Sequence, residues 1–237
     1  MLFAALLAAG TGSRLGTAIP KQFLPIHGTP MLLVTLQPFL AIPTIDVILI
    51  VLAKEWIDYA QGLIAPLHDP RIRLVCGGSH RQESLFCAVQ FCMEHYCPDP
   101  NACMLSHDGA RPFVTHKIIA DHIEALTRFD ATNTVVCAKD TIVESLNHTT
   151  ISRVPNREHL YHSQTPQGFR LHQFYHIYQG LDPTYLAQTT DASRILFDHG
   201  ASVGLVYGSE TNIKITNAVD LSLANLLAET HPRNCHA

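Results

Sequence analysis

The sequence predicts an α/β fold: a three-layer, Rossmann-like, mainly parallel sheet with helices on both faces and a protruding β-arm. Three observations carry this. Apolar runs of strand length alternate with helix-length segments along most of the chain. The opening run, residues 2–8, is continuously apolar and ends in glycines, as a parallel strand buried on both faces would. One stretch, 139–165, breaks the rhythm and reads as a hairpin standing off the sheet. The chain is 237 residues long, enough for one large domain. We read 1–237 as that domain, with 139–160 as its arm.

The elements follow in order. MLFAALLAAG opens the chain, and residues 2–8 form a strand that runs into Gly10, Gly12 and Gly16. A secretory leader needs basic residues ahead of its apolar run, and here the first is Arg14. No run of 18 apolar residues occurs, which argues against a membrane span. Residues 30–41 read as a helix that Pro38 should end or kink. Residues 44–52 (TIDVILIVL) are a β-branched strand, 54–66 a helix, 71–76 a strand and 81–96 a long helix. Residues 102–108, 115–129 and 133–139 continue as strand, helix and strand. The arm turns at 147–150. After it we expect helices near 170–180 and 190–199, a strand at 202–207 and a final helix over 218–229.

Composition narrows the partners. Lys plus Arg number 16 against 20 Asp plus Glu, a net charge of −4, so no global basic field draws the chain to nucleic acid or a membrane surface. Seven cysteines without a Cys-x-x-Cys pair argue against a zinc site and read as reduced thiols of a cytoplasmic protein. No His-Glu-x-x-His occurs among the 15 histidines.

Ligands of open parallel sheets bind beyond the carboxyl ends of the strands. Four stretches fall there. AAGTGSRLGTAIPKQF (8–23) combines glycines, which admit phosphate close to backbone N–H groups, with Arg14 and Lys21. Leu15 stands where a dinucleotide fingerprint has its third glycine, and the Gly-Lys-Ser/Thr ending of a P-loop is absent. CGGSHRQESL (76–85) places a glycine pair ahead of a helix with Ser84 in its first turn. LSHDGARPF (105–113) puts Asp108 at a strand end, where a carboxylate can hold a hard cation or simply cap a turn. SETNIKITNAVDL (209–221) sets Lys214 between β-branched residues.

Together AAGTGSRLG…PKQF, GGSHRQES, HDGARPF, NREHLYHSQTPQGF, TTDAS and NIKITNAVDLSLAN resemble the cytidylyltransferases that activate sugar-alcohol phosphates, over residues 1–230. One branch makes CDP-methylerythritol and the other CDP-ribitol. TTDASR lacks the Glu usual after Thr-Asp in the first branch, and DTIVES, PNREHLY and HDGARPF are closer to the second. The resemblance therefore implies transfer of CMP from CTP to ribitol 5-phosphate, releasing pyrophosphate. Methylerythritol 4-phosphate is the alternative substrate, and another sugar phosphate with another nucleotide is a second alternative. A non-catalytic nucleotide-binding module is a third reading, but such a module should have lost Lys21 or Lys214. By the same resemblance Arg14, Lys21, Arg157 and Lys214 are catalytic. Ala8, Ala9, Gly10, Gly78 and Ser84 contact CTP, and Asp108 holds Mg²⁺ or another divalent cation. Thr165 and Asp191 line the polyol pocket. Arg111 either meets the substrate phosphate or braces the Asp108 loop. The arm, with Ile142, Val143, Ile151 and Val154, implies a homodimer in which Arg157 serves its own or the partner's site.

Overall fold

The computed structural model describes residues 1–10, 19–189 and 191–230. The chain runs through β1 (Leu2–Leu7), a 3-10 turn at Lys21–Phe23, β2 (Pro25–Ile26), β3 (Thr29–Pro30) and α1 (Met31–Leu40). Next come β4 (Val47–Leu52), α2 (Ile57–Ile64), β5 (Ile72–Cys76), α3 (Arg81–Tyr96), β6 (Cys103–Asp108), α4 (His116–Ala125) and β7 (Ala131–Cys137). After the arm follow β8 (Tyr161–Arg170), α5 (Leu171–Gln179), α6 (Pro183–Gln188), α7 (Ala192–Asp198), β9 (Val203–Tyr207) and α8 (Ala218–Thr230).

Seven strands form one sheet in the order β5-β4-β1-β6-β8-β7-β9. β1 pairs in parallel with β4 and β6, so the opening apolar run is a central strand. Alternate residues of the central strands feed two cores. Phe3, Ala5, Leu49 and Val51 pack with Leu85 and Val89 of α3, Phe174 of α5 and Ile195 of α7. Ala4, Leu6, Ile48 and Ile50 pack with Leu36 of α1, Ile64 of α2 and Ile119 of α4. Each Val, Leu, Ile or Phe side chain so buried contributes about 1.5–3 kcal/mol. A smaller cluster of Ile26, Met31, Ala110, Ile215 and Ala224 fastens the β2–β3 hairpin and α8 over the end of the sheet. That packing brings the segment carrying Lys214 to the strand ends.

Several expectations need correction. β8 is a ten-residue strand, antiparallel to β6 and β7, where the sequence suggested the tail of a hairpin. Pro166 and Gly168 weaken its strand signal. Its buried Gln164, Thr165 and Gln167 are polar because they bond across to neighbouring segments. α6 was not anticipated. The helix expected over 54–66 is shortened to α2 and flanked by 3-10 turns, the second containing Pro66. α1 continues two residues past Pro38. The segment 139–160 holds one bridge pair, Glu144 with Arg153, and no named strand. Its turn closes where Asn147 Oδ1 accepts the N–H groups of Thr149 and Thr150, both at 3.0 Å. The six described cysteines are free thiols, and no described helix is long and apolar enough to cross a membrane.

Candidate active site

Two glycine-bearing turns meet at the carboxyl ends of β1 and β5. A Cβ at Gly77 would lie 2.7 Å from Ala9 Cβ and 2.9 Å from Ser84 Oγ, so only glycine allows this approach. Ser84 Oγ accepts the Gly78 N–H at 3.2 Å, and Gln22 Nε2 donates to Ala8 O at 2.6 Å. α3 begins here. His80 caps it by accepting the Glu83 N–H, and Glu83 accepts in return from Ser79. The positive end of a sixteen-residue helix therefore borders the cleft.

Asp108, the last residue of β6, is the electrostatic centre. Its Oδ1 accepts from Arg81 Nε at 3.0 Å, and its Oδ2 from Lys214 Nζ at 2.9 Å. Arg111 Nε stands 3.5 Å from Oδ2, an ion-pair distance without a well-formed hydrogen bond. Burial alone would push the Asp108 carboxyl up. The positive charges of Arg81, Lys214 and Arg111 outweigh it and hold the group ionised far below the usual carboxylate range. Lys21 Nζ donates to Ile215 O at 2.8 Å, tying the first loop to the Lys214 segment.

The cleft wall includes Ala8, Ala9, Gly10, Lys21, Gly78, Arg81, Ser84, Asp108 and Lys214. Eight positions that the resemblance nominated, Lys214 among them, thus converge. Arg14 lies outside the described residues. Arg111 is half-buried and braces the Asp108 turn, donating to Asn212 O at 2.9 Å. Thr165 is 4% exposed, and its hydroxyl bonds inward. Asp191 caps α7, its Oδ1 accepting from Arg194 N at 2.8 Å and Ser193 Oγ at 3.0 Å. Arg157 is exposed on the arm and donates to Lys139 O at 2.6 Å.

Arg81 was missed by the sequence reading, although GGSHRQES places a cation in the same strand-to-helix turn as the glycines. Gln22, His107 and Asn212 were also missed. Their roles depend on contacts with residues distant in sequence, and no local pattern marks them.

An open α/β sheet that gathers several cations and a helix amino end around glycine turns is built to handle phosphate groups, which places the protein among α/β phosphate-group transferases. The family model for IspD, 2-C-methyl-D-erythritol 4-phosphate cytidylyltransferase, matches residues 2–230, and the chain belongs to that family of nucleotidyltransferases. It is 38% identical over 234 residues to a ribitol-5-phosphate cytidylyltransferase of Streptococcus pneumoniae, covering 97% of this chain and 99% of the relative. A 4-diphosphocytidyl-2C-methyl-D-erythritol synthase from Anaerococcus prevotii superposes with TM-score 0.82 at 29% identity, covering 97% of this chain and 96% of the other. The 2-C-methyl-D-erythritol 4-phosphate cytidylyltransferase of Thermus thermophilus superposes with TM-score 0.71 at 29% identity, covering 97% and 100%.

Proposed function

We propose that the protein transfers CMP from CTP to ribitol 5-phosphate, giving CDP-ribitol and pyrophosphate. The observation that carries the chemistry is the convergence of Lys21, Arg81 and Lys214 around the glycine turns and Asp108. The choice of polyol is supported by the identity to the pneumococcal ribitol-5-phosphate enzyme, which exceeds that to the methylerythritol-phosphate structures reported above.

A phosphate oxygen of the polyol phosphate attacks the α-phosphorus of CTP and pyrophosphate leaves. That phosphate is ionised at neutral pH, so no strong general base is needed. Positioning and charge stabilisation do the work. Ala8, Ala9, Gly10, Gly78 and Ser84 seat the nucleotide. Lys21 and Lys214, with Arg14 by resemblance, oppose charge that grows on the phosphates. Asp191, at the amino end of α7, belongs to the polyol side of the site as a hydroxyl acceptor.

Asp108 suits a Mg²⁺ that arrives with the triphosphate. An ionised carboxylate keeps lone pairs beyond those its cations occupy, and Mg²⁺ commonly takes one carboxylate plus substrate phosphates and water. Among the described residues no cluster of three His, Cys, Asp or Glu could hold the ion alone. When bound, the ion would neutralise phosphate charge and orient the leaving group. Asp108 would anchor it while Arg81 and Arg111 hold the carboxylate in place.

The arm supports a homodimer. Leu146 is 79% exposed and Ile151 63%, and Val143 and Val154 of the same arm are also exposed. Arg157, on the same arm, would then complete either its own cleft or the neighbour's. The free thiols of the six described cysteines fit a cytoplasmic enzyme. The test is pyrophosphate release with CTP, UTP and GTP against ribitol 5-phosphate, with the product identified by mass. Release with CTP alone and a CDP-ribitol product support the reading. Release with UTP or GTP instead would assign the cleft to another nucleotidyl transfer.

A further inference from the structure

The β6–β8 ladder ends at Ser106 and Gln167. Beyond it, a side chain takes over. Thr165 Oγ1 accepts the Asp108 N–H at 3.0 Å and lies 3.0 Å from His107 Nδ1. His107 Nε2 lies 3.0 Å from Arg111 O, which can only accept. Nε2 therefore carries the imidazole proton, and Nδ1 receives the Thr165 hydroxyl proton. On its other side, Thr165 O accepts Asn212 Nδ2 at 2.9 Å, and Asn212 O accepts Arg111 Nη1 at 2.9 Å. The bonds close into a ring from β6 to β8, to the 209–215 segment, to Arg111 and back through His107. His107 and Asn212 are fully buried.

The cleft's charges ride on this ring. Asp108 joins it through its own amide, and Arg111 through both its carbonyl and its guanidinium. Lys214 lies two residues beyond Asn212, on a segment also pinned where Ile215 N donates to Ala110 O at 2.9 Å. We infer that Thr165, His107 and Asn212 are positioning residues that lock Asp108, Arg111 and the Lys214 segment into one rigid unit. Thr165 acts on the reaction through Asp108, not by reading a polyol hydroxyl. The inference rests on the cleft being a cytidylyl-transfer site. Its physical basis is that a donor and an acceptor position on one hydroxyl are both already filled, and that a misplacement of about 1 Å costs on the order of 10² in rate where placement is the catalytic device.

The test compares Thr165→Val, Thr165→Ser and Asn212→Ala with the wild-type enzyme. Melting curves establish that each is folded. kcat and KM are measured with CTP against ribitol 5-phosphate and methylerythritol 4-phosphate, and hydrogen exchange is followed at the Asp108 amide. For Thr165→Val we expect kcat to fall about 10- to 100-fold for any polyol phosphate the wild type accepts, with its KM within about twofold. Asp108 amide exchange should quicken, and Thr165→Ser should restore most of the rate. Asn212→Ala, which opens the ring from the other side, should cause a similar loss that does not add fully to the first. A rise in KM confined to one polyol with kcat kept, or unchanged Asp108 exchange in the Val variant, would overturn the lock. If the wild-type enzyme releases no pyrophosphate with any polyol phosphate, the cytidylyl-transfer reading fails, and the exchange measurement still decides whether the ring holds Asp108.

Discussion

The cleft and the arm differ in what one chain can satisfy. In the cleft, a nearly buried carboxylate has three cations around it, and the loops that carry them are tied by hydrogen bonds across more than a hundred residues of sequence. In the arm, four aliphatic side chains stand half or more exposed on a segment whose strand-like pairing is a single bridge, Glu144 with Arg153. In the first region the described polar groups answer one another inside the chain. The second lacks an answer of its own, and a second copy is the cover we propose. A charge cluster can be completed within a chain of net charge −4 because only its local arrangement matters, whereas an apolar face needs area.

The sharpest way to break the cleft side is Lys21→Ala. The ammonium should matter more in the transition state than in the ground state, so kcat should drop on the order of 10²–10³ with CTP affinity little changed. A steady-state assay that finds weaker CTP binding and intact turnover would make Lys21 a plain binding residue.

Asp108→Asn should act on both rate and fold. It leaves Arg81, Arg111 and Lys214 without their anion, at a cost on the order of 3 kcal/mol, the low end for a buried pair because Arg81 and Lys214 keep some solvent contact. Urea unfolding reads that loss. A magnesium titration of turnover should also shift to higher concentration, and an unchanged titration would remove Asp108 as the metal ligand.

Acid should weaken the fold through two buried histidines. Burial pushes His107 down to about 4 and His122 down to about 3. His122 lies 2.7 Å from both Thr132 Oγ1 and Thr134 Oγ1, and Thr134 donates to Pro166 O. From about pH 6.5 downward the unfolded chain binds protons that the folded chain refuses until these lower values. The stabilisation is thus complete above pH 6.5 and is lost as pH falls, at about 1.4 kcal/mol per pH unit for each histidine. Unfolding free energies at pH 7, 6 and 5 should show that slope, and His122→Asn should reduce it by one histidine's share. A flat profile would mean that these imidazoles are not held neutral.

The arm should respond in the opposite manner. If the arm forms the dimer we propose, Leu146→Asp with Ile151→Asp should convert a dimeric wild type to a monomer in sedimentation velocity at micromolar protein, while melting of the remaining fold stays within about 0.5 kcal/mol. A dimer that survives both substitutions would place the interface elsewhere.

Much of this contrast was legible in the sequence. β1 and β4 are continuous apolar runs because both of their faces are covered, and the glycines and cations of the cleft sit in the turns that follow strands. The arm showed itself as a break in the alternation. β8 did not, because a strand whose buried residues include Gln164, Thr165 and Gln167 has no apolar alternation to read. Arg81 and Asn212 were hidden for a related reason. Their partners are 27 residues away at Asp108 and 47 away at Thr165, and only the folded chain brings them together.

The central claim is that this cleft activates ribitol 5-phosphate. The most direct measurement is the ratio of kcat/KM for ribitol 5-phosphate to that for methylerythritol 4-phosphate, with saturating CTP and Mg²⁺. A site that pairs with the hydroxyls of the unbranched polyol leaves polar groups unmatched against the methyl-bearing one, so the ratio should be large, on the order of 10² or more. A ratio at or below unity would contradict the account and assign the enzyme to the methylerythritol branch.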